Sequence, residues 1–130
     1  MKILLAESDF GSRKASSRLL SQYGECDVVV DGEEAVECFG MAIENNEPYD
    51  LACLDVFMPV MDGHQALKKI REIESQRNIP QENRIKVIMT SKQGLGHTPK
   101  EGYGAGDEMF LIKPFNEGEL QAALKELGLV

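Results

Sequence analysis

The stretch Asp50-Leu51-Ala52-Cys53-Leu54, bounded by Asp55 and then by Pro59, decides the fold. An apolar run of strand length without polar alternation reads as a strand buried on both faces, which places it inside a parallel sheet covered by helices. Upstream, Asn45, Asn46 and Pro48 break a helix whose inward stripe is Ala35, Phe39 and Ile43. Asp31-Gly32-Glu33-Glu34 reads as the capping box that starts it, directly after a second apolar run, Val28 to Val30. Further back lies Ile3 to Ala6, another buried strand, with Ala15, Leu19 and Leu20 following at helical spacing.

Downstream the alternation continues. Leu67, Ile70 and Ile73 mark a helix, and the polar stretch Ser75 to Arg84, with Pro80 inside it, reads as an exposed loop. Val87, Ile88 and Met89 supply strand four, and Met109 to Ile112 strand five. Asn116-Glu117-Gly118-Glu119 caps a last helix with Leu120, Leu124 and Leu127 inward and Gly128 as its stop. Between strands four and five, Gly94, Gly96, Gly102, Gly104 and Gly106 with Pro99 oppose a stable helix, at about 1 kcal/mol per Gly and about 3 for an interior Pro. The fourth helix is therefore expected to be short, displaced or mobile.

Five strands alternating with helices imply right-handed crossovers and helices on both faces. The expected fold is a doubly wound (βα)5 three-layer α/β sandwich with parallel sheet order 2-1-3-4-5. Its site should lie outside the carboxyl ends of strands one and three, where the winding reverses.

The chain has 130 residues, enough for one domain over 1–130 with a core that needs neither disulfide nor structural metal. Its charge of −8 and the lack of a basic run argue against nucleic acid and anionic membranes as partners. No apolar run approaches the roughly 20 residues of a membrane-spanning helix, and Glu7 and Asp9 cut short any secretory signal. A cytoplasmic location is expected. Cys26, Cys38 and Cys53 lack metal or redox spacing and read as reduced, small apolar residues. His64 and His97 have no ligand-spaced partners, and Met58 and Met61 read as packing residues. Gly94-Leu95-Gly96 fails as a dinucleotide loop because Pro99 stands where the third glycine belongs.

Chemistry gathers at the strand ends. Glu7, Ser8 and Asp9 follow strand one and Asp55 follows strand three, so acids converge on the crevice. Converging carboxylates repel unless a cation joins them, and an oxygen-only set suits Mg²⁺ rather than Zn²⁺. Thr90 and Lys113, at the ends of strands four and five, offer a hydroxyl and an ammonium that suit an anion. A carboxylate, a metal and a lysine together are what phosphoryl transfer to the carboxylate requires, with Asp55 as nucleophile.

Asp55-Val56-Phe57-Met58-Pro59-Val60-Met61-Asp62-Gly63, Thr90-Ser91 and Lys113-Pro114-Phe115 stand in the order and spacing of a known set of motifs. Over essentially its whole length the chain resembles the response-regulator receiver domains of two-component signalling, whose fold is flavodoxin-like, or CheY-like. The resemblance implies that Asp55 accepts a phosphoryl group from a phosphohistidine and that Thr90 and Lys113 contact it. It implies further that Glu7, Asp55 and the backbone carbonyl of Phe57 hold Mg²⁺, that Phe110 is the switch aromatic, and that the Lys113-Pro114 peptide is cis. The expected donor is a sensor histidine kinase or a histidine phosphotransfer protein. With no output segment after the fifth helix, a stand-alone receiver is expected to signal through its helix 4, strand 5 and helix 5 face to another protein, as a binding module and not an enzyme.

Two departures from the family pattern stand out. Ser8 occupies the place of a second acid that usually ligates the metal, so the Mg²⁺ site is expected to be weakened, or rebuilt with Asp9 or a water held by Ser8. Phe57 puts a ring beside Asp55 where many receivers have a smaller or polar side chain. Ser8 motivates the alternative of a pseudo-receiver that works without phosphate. A haloacid-dehalogenase-like phosphatase would need a second Asp where Phe57 stands.

Overall fold

The computed structural model describes residues 1–92 and 107–130. The elements run β1(Lys2–Ala6), α1(Phe10–Leu20), β2(Glu25–Val29), α2(Gly32–Glu44), β3(Leu51–Asp55), α3(Gly63–Gln76), a 3-10 turn at Gln81–Asn83, β4(Lys86–Lys92), β5(Glu108–Lys113) and α4(Glu117–Glu126). All the strand pairings are parallel, in the order β2-β1-β3-β4-β5. This is the flavodoxin-like arrangement the alternating pattern requires. The expected fourth helix and its glycines fall outside the described residues, so α4 is the helix read above as the fifth.

Side chains alternate across the sheet with period two and divide the core into two layers. From β1, Leu4 and Ala6 enter a cluster with Ala35 and Phe39 of α2 and Ala66 and Ile70 of α3. Ile3 and Leu5 point the other way, toward Leu20 of α1 and Leu120 and Leu124 of α4. Each fully buried aliphatic side chain of this kind contributes about 1.5–3 kcal/mol. β3 is buried along its whole length, as its uninterrupted run demands.

Several local expectations shift. In α1 Leu20 is buried and Leu19 packs half-buried against the core, as expected, but Ser16 is buried with them while Ala15 is exposed one helical step round. In α2 Ile43 packs half-buried against the core cluster, and Ala42 beside it is buried more deeply. β2 begins three residues before Val28 and ends at Val29, and as an edge strand it leaves Val28 and Val30 partly in solvent. Asp31 does accept from the Glu34 N–H at 2.8 Å, but the Glu34 carboxylate turns to the Val30 N–H at 3.0 Å, so the box does not close. It closes fully at Asn116/Glu119. Gly128 takes φ +76° just past α4, the left-handed geometry of a helix stop.

The thiols behave as apolar groups. Burial, then Asp27, pushes Cys26 up to about 11, and burial raises Cys38 and Cys53 as well. At the amino end of the sheet, Arg71 of α3 bonds Glu74 at 2.7 Å, the Ile85 carbonyl at 2.9 Å and Glu108 of β5 at 2.5 Å. Glu74, itself buried, accepts from the Ile85 N–H at 2.7 Å, and Lys86 pairs with Asp107 at 2.6 Å.

At the opposite end, Gly63 opens α3 directly beneath the strand that carries Asp55. Its N–H donates to the Val56 carbonyl at 3.0 Å, and a Cβ there would lie 2.3 Å from the Asp55 carbonyl oxygen and 2.9 Å from Met89 Cε. Backbone cannot yield as a side-chain tip can. Gly63→Ala is therefore expected to destabilise the fold by about 1–3 kcal/mol, measured as a lower urea midpoint.

Candidate functional site

β1 and β3 are neighbours whose following helices lie on opposite faces of the sheet, so a crevice opens where their carboxyl ends part. Glu7 leaves β1 held by its N–H to the Val29 carbonyl at 3.1 Å, and the residue is only 1% exposed. Asp55 ends β3 opposite Thr90 of β4, and the Thr90 carbonyl accepts from Val56 N–H at 2.8 Å. Lys113 ends β5 just before a cis peptide to Pro114.

These side chains meet. The Lys113 ammonium lies 3.2 Å from Asp55 Oδ2 and donates to Glu7 Oε1, with all three groups buried. Asp55 Oδ1 accepts a longer bond from the Phe57 N–H, 3.4 Å. Thr90 is buried beside them, and Phe110, paired in register with Met89, is half-buried against the α2/α3 layer. An open cavity of about 370 Å³ above Asp55 is lined by Ser8, Asp9, Asp55, Phe57 and Lys92. Phe57, 51% exposed, lines this cavity and leaves it open.

Asp9 is not turned back toward a cation. Its Oδ2 accepts from the Ser12 N–H at 2.8 Å as the cap of α1, and that bond from the backbone holds its pKa below the usual carboxylate range. Ser8 is exposed. Among the described residues no three His, Cys, Asp or Glu side chains converge as a metal cage. What remains is a hard, oxygen-only donor set of two carboxylates and nearby backbone, which suits a cation that keeps several waters.

Two residues of this site went unnoticed in the sequence. Arg13 donates to the carbonyls of Glu7 and Ser8 at 3.1 and 3.2 Å, fixing the β1–α1 turn from one helical turn beyond its cap. Lys92 lines the cavity, and strand alternation could have found it, since it lies two residues after Thr90 on the same face.

The family model for the response regulator receiver domain matches residues 3–125. The chain belongs to this family. Among curated relatives, this receiver is 31% identical over 126 residues to a probable transcriptional regulator of Porphyra purpurea, covering 96% of this chain and 55% of that one. The receiver thus spans about half the length of that relative, and 7% of a hybrid signal transduction histidine kinase of Dictyostelium discoideum. Among solved structures it is similar to the receiver domain of the histidine kinase CKI1 from Arabidopsis thaliana complexed with Mg²⁺ and BeF3⁻. That match has 27% identity and a TM-score of 0.76, and covers 98% of this receiver and 89% of the other chain. Similarity to a CheX-CheY-BeF3-Mg²⁺ complex from Borrelia burgdorferi has 25% identity and a TM-score of 0.72, covering 100% and 90%.

The electrostatics of the receiver site are those of two acids sharing one base. Burial, and then the hydrogen-bonded Asp55, raise the pKa of Glu7 above its ordinary 4.5, against the pull of Lys113. For Lys113 burial opposes the charge, but the bond to Glu7 and the charges of Asp55 and Glu7 outweigh it and raise the pKa above 10.5. An acid with a raised folded pKa binds its proton more tightly folded than unfolded. Its contribution to stability is therefore complete below the unfolded pKa and is lost as pH climbs through the folded one. Urea titrations of the wild type are expected to show stability falling as pH rises from about 4.5 through that window, and Glu7→Gln is expected to flatten the slope. Lys113→Met, which strands both carboxylates, is expected to cost about 3–5 kcal/mol at neutral pH and less in acid.

Proposed function

We propose that this receiver accepts a phosphoryl group on Asp55 from the phosphohistidine of a sensor histidine kinase or histidine phosphotransfer protein, and signals by contact with another protein. The observation that carries the reading is the Asp55 carboxylate, bonded below by Lys113 at 3.2 Å and open above to a cavity large enough for a phosphoryl group. In the transfer an Asp55 oxygen forms the new bond to phosphorus as the bond from phosphorus to the imidazole nitrogen breaks; the bonding pair stays on that nitrogen, and the ring, protonated at its other nitrogen, is left as neutral histidine on the donor. Asp55 is then consumed as an acceptor, so the domain acts as a switch and not as a turnover enzyme.

Glu7, Asp55 and the Phe57 carbonyl would hold Mg²⁺, with water where Ser8 supplies no charge. Bound there, the ion would neutralise charge on the transferring oxygens. The Lys113 ammonium, held by Glu7, supplies positive charge at the base of the site. Thr90, on the strand beside Asp55, would bring its hydroxyl toward a phosphoryl oxygen. Phe110, packed against the α2/α3 layer, is the aromatic whose position would follow. The output face would include β5 and α4, with the helix expected before β5 as its third part. Among the described residues no helix is long and apolar enough to cross a membrane.

Ser8 favours a second reading, a pseudo-receiver recognised by its partner whatever the state of Asp55. Incubation with acetyl phosphate and Mg²⁺ followed by intact mass measurement separates the two. The wild type is expected to gain one phosphoryl group and Asp55→Asn none, whereas an unmodified wild type would establish the pseudo-receiver. The exposed Phe57 ring at the cavity rim screens the phosphoryl group from attacking water, so Phe57→Asn is expected to shorten the lifetime of the modified form several-fold.

A further inference from the structure

The positive charge that faces the open cavity is not the one at its base. Lys113 is spent: its ammonium is buried and matched by the carboxylates of Glu7 and Asp55. Among the described residues Lys92 is the cation that shares the cavity with Asp55, together with the neutral Ser8 and the cap-engaged Asp9. Its position follows from the sheet. Asp55 pairs with Thr90 across β3 and β4, and alternation returns Lys92 to the same face, where it pairs in register with Lys113 of β5. Among the described residues the Lys92 ammonium enters no ion pair or hydrogen bond, and the side chain is exposed. The space between Lys92 and Asp55 is the 370 Å³ cavity that both residues line.

We propose that Lys92 is a second phosphoryl-contacting residue, which supplies from the side chain of β4 part of the positive charge that this receiver's depleted metal site lacks. The inference rests on the reading of Asp55 as phosphoacceptor. With Ser8 in place of an acid, the site loses one negative charge that would attract a divalent ion. Lys92 adds one positive charge aimed at the phosphoryl oxygens. Both changes move the stabilisation of the bound anion from the metal to the protein.

The test is the formation of the beryllofluoride adduct on the full chain, followed by ¹⁹F NMR while Mg²⁺ is titrated. Lys92→Gln is expected to raise the Mg²⁺ concentration at half-formation by about fivefold to tenfold, the effect of one unit charge a few ångströms from the anion in a partly solvated site. Lys92→Arg should stay near the wild type. Lys125→Gln, which removes an exposed lysine of α4, should not move the midpoint. An unchanged midpoint for Lys92→Gln would overturn the inference while leaving Asp55 as the acceptor, and so would an equal shift for Lys125→Gln, since that is a general field effect. A wild type that forms no adduct at any Mg²⁺ concentration would overturn the phosphoacceptor reading and this inference with it.

Discussion

The ammonium of Lys113 between the carboxylates of Glu7 and Asp55 is the contact on which the working end of this molecule depends. Two buried acids brought to the tips of adjacent strands cost several kcal/mol in desolvation and repulsion unless a positive charge sits with them. The doubly wound topology creates the crevice, and the lysine makes it tolerable to leave ionised side chains there. Because one base serves two acids, the group retains an excess of negative charge. That excess is what a divalent cation would meet.

Around this centre the backbone is tightly specified. Gly63 passes within contact of the Asp55 carbonyl, and the Gly32 N–H donates to the Met61 carbonyl at 3.0 Å, so the loop after β3 is tied to both α3 and α2. Val60, a β-branched residue, is held at φ +69° at the tip of that loop. A left-handed conformation at such a residue costs of order 1–3 kcal/mol and persists only when its surroundings impose it. Here the 2.7 Å bond from the Met61 N–H to the Pro59 carbonyl closes the turn.

Much of this was legible in the residues. The unbroken run Leu51 to Leu54 announces a central parallel strand, and acids directly after two such runs announce the crevice. Helix caps at Asp31 and Asn116 were readable because Asn and Asp compete for orphan N–H groups whatever the tertiary context. The face of α1 was not, because a buried Ser16 and an exposed Ala15 invert the usual hydropathy. β2 misled for a related reason: an edge strand with Glu25 and Asp27 carries too few apolar residues to show its full extent. The role of Asp9 turned on a choice between metal and helix cap that spacing cannot make. Arg13 and Lys92 escaped notice because long cationic side chains are usually solvated, and only the register of strand and helix shows which of them face a cavity.

The ion network of Arg71, Glu74 and Glu108 lies at the opposite pole from Asp55, and it anchors the first residue of β5 to α3 and to the strand beside it. β5 is therefore held by charge at both poles, through Glu108 at the amino end and Lys113 at the carboxyl end, and is paired in register with β4 between them, so the strand is a strut that joins the structural ion network to the acid pair.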